Sequence, residues 1–196
     1  MSAPGRWQLE KALSALKHGE VIAYPTEGVW GLGCDPFNAD AVDRLLALKN
    51  RPMDKGLILV AANLAQISPL LSFLSDAQLA QLKESVSDDS AHVSGESRPT
   101  TWLIPSSGLI PYWITGTHDT VAVRISKHPM VAALCQSFGG MIVSTSANPS
   151  SKAPALTQLS VRHYFGKQIP VYLSGKVNRS GVTSEIRNLV TGDVLR

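Results

Sequence analysis

VIAYPTEGVWGLGCDPFNADAVDRLLALKNRPMDKGLILVA, residues 21–61, is the stretch on which the fold class turns. Residues 21–24 are short, apolar and β-prone, and Pro25 ends them. Extended structure can resume over residues 29–32 around Gly28, Gly31 and Gly33, which leaves Thr26 and Glu27 on the loop between. Asn38 is placed to cap a helix in which Val42, Leu45, Leu46 and Leu48 share a face, and Pro52 keeps that helix from running far beyond Lys49. Residues 57–61 then read as a buried strand. Strands and a helix in this succession predict a layered α/β fold.

The pattern continues on both sides. Leu9, Ala12, Leu13 and Leu16 recur at helical spacing before Gly19, predicting an amphipathic helix of about three turns. Downstream, a mainly helical stretch is expected over residues 64–83, with Pro69 interrupting it. Residues 85–98, SVSDDSAHVSGESR, have little to bury and predict an exposed, mobile loop. Strands are expected at 100–104, 120–125, 141–143, near Val171 and at 183–186, and helices at 129–138 and 157–165. Residues 1–196 thus read as one α/β domain, a twisted mixed β-sheet flanked by helices, whose strand order the pattern leaves open.

With 44% hydrophobic and 17% charged residues, the chain falls outside the disordered class. A net charge of +3 permits an anionic partner without requiring one. Cys34 and Cys135 are far apart and form no CxxC or zinc-like spacing, so a reduced, intracellular setting is expected. The first residues show no secretory core, and no run approaches the roughly 18 apolar residues of a membrane span. These features predict a cytoplasmic protein with no membrane partner. GxxxxGK[ST], GxSxG and HExxH are absent, and Gly28, Gly31 and Gly33 do not have dinucleotide-fingerprint spacing. His18, His92, His118, His128 and His163 are scattered, and each reads first as structural or surface.

Two clusters could carry chemistry. Lys49, Arg51 and Lys55 lie where a helix gives way to a loop, and three cations there could hold a triphosphate. Exposed cations at a helix C-terminus also complement its dipole without any ligand. Ser144 to Asn148, STSAN, follow an apolar strand, where small hydroxyl residues let an anion approach backbone donors closely. The same residue types also simply make turns.

Taken in order, YPTE at 24–27, KNRPMDKG at 49–56, Pro99 to Thr101, AVRISKHP at 122–129, STSAN at 144–148 and SEIR at 184–187 resemble the YrdC/TsaC family of threonylcarbamoyl-AMP synthases. The likeness runs from about Val21 to the end of the chain and is closest to the short, single-domain members. It implies a YrdC-like fold and synthesis of threonylcarbamoyl-adenylate from ATP, L-threonine and bicarbonate, with pyrophosphate released and the product feeding tRNA t6A modification. By matching position, it implies that Lys49, Arg51 and Lys55 hold phosphates as the catalytic cations. Ser144, Ser146 and Asn148 would line the adenylate, with Thr101 and Arg187 as further ATP contacts, and Thr26, Arg124, Ser144 and Ser184 would place threonine. Magnesium is expected with the nucleotide, and tRNA-modifying proteins that use the adenylate are the expected partners. A non-catalytic double-stranded RNA-binding protein using the same basic concave surface is the alternative. Two departures stand out. Glu96, Ser97 and Arg98 replace the Trp-Pro-Gly that relatives carry before the proline matching Pro99, and Ser151 stands where relatives often have glycine.

Overall fold

The computed structural model describes residues 4–87, 99–177 and 184–195. In chain order its helices and strands are α1 (Arg6–Lys17), β1 (Ile22–Pro25), β2 (Trp30–Gly33), α2 (Ala39–Lys49), β3 (Ile58–Ala61), α3 (Ser68–Leu71), α4 (Asp76–Ser87) and β4 (Thr100–Pro105). They continue with α5 (Tyr112–Thr115), β5 (Thr120–Ile125), α6 (Pro129–Phe138), β6 (Ile142–Ser146), α7 (Gln158–Phe165), β7 (Val171–Tyr172) and β8 (Glu185–Asn188).

Local chemistry explains the helix boundaries. Asn38 Oδ1 accepts from the Ala41 N–H and starts α2, and Asn50 ends it in the left-handed region at φ 49°. Ser75 and Gln78 satisfy each other's backbone donors in a capping box that opens α4. His128 Nδ1 accepts from the Met130 N–H to cap α6, with Pro129 in the first turn, so this histidine is structural as expected.

Eight strands form one mixed sheet in the order β7-β1-β2-β6-β3-β5-β4-β8. Pairs β1/β7, β3/β5 and β4/β8 are parallel, and the other four are antiparallel. Period-two alternation divides the apolar residues between two cores. Leu32, Leu59, Val123 and Val143 pack with Val42 and Leu45 of α2. Ile22, Tyr24, Val60 and Ile142 pack on the other face with Leu16 of α1 and Leu134 of α6. On this second face the register aligns Ser144, Ile58, Ala122 and Leu103 across four neighbouring strands. That row is the floor of a cavity.

Four expectations need correction. Pro69 does not interrupt a long helix: it sits in the first turn of α3, where its missing N–H costs nothing, and the break comes at residues 72–75. Residues 85–87 belong to the last turn of α4, and Ser85 Oγ accepts from Trp102 Nε1 at 3.0 Å. The remainder of the expected mobile loop, 88–98, lies outside the described residues. Strand β6 runs through Ser146 because Ser144 pairs with Ile58 and Ser146 with Gly31, so most of STSAN is strand instead of following one. The last strand starts at Glu185 and runs to Asn188, and Thr183 lies outside the described residues. Both cysteines are buried free thiols. Among the described residues no helix is long and apolar enough to cross a membrane.

Candidate active site

A cavity of about 490 Å³ opens on the sheet face floored by Ser144, Ile58 and Ala122. The β1–β2 loop walls it with Thr26 and Glu27, the segment after α2 with Arg51 and Lys55, and β5 with Thr120 and Arg124. Ser144, Thr145 and Ser146 of β6, Ser184 beside β8, and Thr115 and His118 add further polar lining, which brings one of the scattered histidines to the cavity.

Thr26 is fixed: its Oγ1 donates to the Val29 carbonyl at 2.7 Å, closing the hairpin turn on itself. Its methyl group covers Gly31 so closely that a Cβ at that glycine would stand 3.1 Å from it. Arg51 donates through Nη2 to the Gly56 carbonyl at 2.8 Å, while its Nε is buried without a partner. Burial pulls its pKa down, opposed by the nearby Asp54. Lys55 is exposed at the same end of the cavity.

Lys49 is placed differently from the exposed helix-end cation that its sequence position suggested. It is 4% exposed and does not line the cavity. Its Nζ donates to the Ser146 carbonyl at 2.5 Å and to the Asn148 carbonyl at 2.8 Å, fastening the end of β6 to the end of α2. Burial, and secondarily Arg51, lowers its pKa to about 8. Asn148 is also behind the wall, its Nδ2 donating to Lys152 O at 2.7 Å and its Oδ1 buried without a partner. Ser150 ties the same turn to α2 by donating from N to Lys49 O at 2.7 Å and from Oγ to Asn50 O at 2.8 Å. Ser151 adopts φ 66°, a left-handed conformation that glycine would hold without strain, at the position where the resembling chains often have one.

Thr101 is fully buried, and its Oγ1 donates to Ser184 Oγ at 2.9 Å, so it reaches the cavity only through Ser184. Arg187 pairs with Glu185 at 3.2 Å and does not line the cavity. The structure therefore brings Thr26, Arg51, Lys55, Arg124, Ser144, Ser146 and Ser184 to one space and sets Lys49, Thr101, Asn148 and Arg187 around it.

Sequence reasoning overlooked one buried acid. Glu27 Oε2 lies 3.7 Å from Arg124 Nη2, and Ser126 Oγ donates to Glu27 Oε1 at 2.5 Å. Burial by itself would raise the Glu27 pKa, but Arg124 and Ser126 outweigh it and hold the carboxyl below its ordinary range. The available signal was spacing: Arg124, Ser126 and His128 alternate, which places successive polar groups on one side of an extended segment. Of the residues lining the cavity, Arg51, Lys55 and Arg124 carry permanent positive charge and Glu27 alone is acidic. Among the described residues no cluster of three His, Cys, Asp or Glu could hold a metal ion.

The Sua5/YciO/YrdC family model, described as telomere recombination, matches residues 14–196. The chain is 50% identical over 185 residues to a threonylcarbamoyl-AMP synthase of Cellvibrio japonicus, covering 94% of this chain and 93% of that one. It is 45% identical over 186 residues to one from Acinetobacter baumannii, covering 95% and 96%. Among solved structures, P. abyssi Sua5 in complex with L-threonine superposes with a TM-score of 0.81 at 28% identity over 98% of this chain. The chain spans 54% of that protein's length. Escherichia coli YciO, at 20% identity, shares the fold with a TM-score of 0.80 over 100% of this chain and 91% of its own.

Proposed function

This chain belongs to the Sua5/YciO/YrdC family, and from that premise we propose that it is a threonylcarbamoyl-AMP synthase, joining L-threonine, bicarbonate and ATP into threonylcarbamoyl-adenylate with release of pyrophosphate. The observation that carries the reading is identity of 45–50% to synthases of that name over nearly the whole of both chains. The cavity supports it by grouping cations and hydroxyls with a single, already paired acid.

The chemistry asks for position and charge more than for acid and base groups. The threonine amine takes up carbon dioxide derived from bicarbonate as a carbamate, whose oxygen attacks the α-phosphorus as the bond to pyrophosphate breaks. Negative charge accumulates on phosphate oxygens, where fixed cations in a water-poor site lower the barrier. Arg51 and Lys55 are the cavity cations free of a lining carboxylate and are assigned the phosphates. Lys49 adds charge behind them and sets the Ser146 and Asn148 carbonyls. Ser144 and Ser146 line the adenylate, and Thr26, Arg124 and Ser184 receive threonine. Thr101 acts through Ser184, while Asn148 and Arg187 support the nucleotide from outside the wall.

The donor set does not fit a resident metal, since the one lining carboxylate is paired with Arg124. Magnesium therefore enters as part of the ATP substrate, held by phosphate oxygens and water. We place the reaction in the cytoplasm, with tRNA-modifying proteins consuming the adenylate for t6A.

The test is pyrophosphate release with each substrate omitted in turn. Release should require threonine and bicarbonate together, and serine, one methyl smaller, should give weak activity because a pocket fitted to a methyl group discriminates by about 1–3 kcal/mol. Release that ignores threonine would sink the proposal. Binding of double-stranded RNA that falls steeply with salt, in a protein without release, would favour the RNA-binding alternative.

A further inference from the structure

The three cavity cations are not electrostatically equivalent. No carboxylate lines the wall beside Arg51 and Lys55, since Asp54 is exposed and outside the lining. Arg124 instead faces Glu27 across 3.7 Å, with the two side chains only 11% and 14% exposed. Attraction between opposite charges strengthens as water is excluded, so this pair presents little net charge to the cavity. The acid is also anchored: Ser126 Oγ donates to Glu27 Oε1 and accepts the His128 N–H at 3.3 Å, at the start of α6. Glu27 Oε2, shielded and without a hydrogen-bond partner, is the oxygen that faces Arg124.

We propose that Glu27 is a specificity residue that cancels the charge of Arg124, keeping the polyanionic phosphates at Arg51 and Lys55 and reserving the Arg124 end for a monocarboxylate bearing its own ammonium group. The proposal rests on the reading of the cavity as a site for ATP and an α-amino acid. Although Glu27 lines the cavity, the role assigned to it is exercised through Arg124. Without it, Arg124 would present its full charge to the cavity alongside Arg51 and Lys55 and compete for the same phosphates, and pyrophosphate would settle where threonine must bind.

Glu27→Gln retains the side-chain length and an acceptor for Ser126 while removing the charge. Calorimetric titration with L-threonine, with and without saturating inorganic pyrophosphate in magnesium-free buffer, reads the consequence. In the wild type, pyrophosphate should change the threonine Kd by less than about twofold. In Glu27→Gln it should raise that Kd about tenfold or more, because pyrophosphate gains Arg124. A variant whose threonine binding stays indifferent to pyrophosphate overturns the proposal, as does one that loses threonine before any pyrophosphate is added, which would make Glu27 a contact. Competition between the two ligands in the wild type overturns it with no variant at all, should Glu27→Gln fail to fold. A wild type that binds no threonine instead defeats the functional reading on which the proposal rests.

Discussion

Lys49 shows how a single buried charge can organise a site it does not line. Its Nζ holds the Ser146 and Asn148 carbonyls, and the charged ammonium makes both bonds stronger than a neutral amine would. The lowered pKa of about 8 sets the window. Below it the charged form predominates and favours bound phosphate; above it the charge is lost, and with it the charge-assisted strength of the two bonds, so ATP affinity should fall as pH rises through about 8. Lys49→Met should weaken ATP binding at pH 7 by about tenfold or more and flatten that dependence, as measured by equilibrium titration. An unchanged profile in the variant would show that another group titrates. The cluster containing Lys49 was legible in the sequence, but its burial was not, because whether a helix-end lysine faces solvent depends on β6, about a hundred residues away.

At the scale of elements, period and capping residues carried most of the legible information. Asn38, Gly19 and Pro129 mark helix ends by local chemistry, and α1, α2 and α6 follow them. Sheet neighbours cannot be read this way, since β1 finds β7 and β4 finds β8 by long-range packing of short strands. STSAN looked like a turn because Ser and Thr favour turns, yet pairing to β2 and β3 made its first three residues a strand. Tight pairing here has a measurable signature at Gly33, where an added Cβ would stand 2.4 Å from Val143 O and 2.8 Å from the Tyr24 hydroxyl. One of those obstacles is backbone in the sheet and the other a fully buried side chain, so relief requires moving the strand. Gly33→Ala should destabilise the fold by about 1–3 kcal/mol, seen as a lower urea midpoint with an unchanged slope. Gly140→Ala, with nothing within 4 Å, should stay within about 0.5 kcal/mol of the parent. Equal effects at the two positions would refute the packing account.

For the whole molecule, the decisive feature is a cavity with two differently charged ends on one sheet. The sequence motifs named most of its polar wall, but not its division: Arg124 and Lys55 look alike as residues and differ because Glu27 is folded against one of them. If the ends are separate subsites on one cooperative domain, their ligands should stabilise it independently. Binding to the native state at a hundredfold excess over Kd adds about 2.7 kcal/mol. Threonine and an ATP analogue blocked between the α- and β-phosphates, without bicarbonate, should therefore add about twice that when both are present. For a domain of this size, about 2–4 °C of Tm accompanies each kcal/mol, so each ligand alone should raise Tm by about 5–11 °C and the pair by nearly the sum. A combined shift no larger than the greater single shift would mean that the two ligands share one subsite. A combined shift well beyond the sum would mean that one ligand builds the other's site, a positive coupling that the preformed pairing of Glu27 with Arg124 argues against.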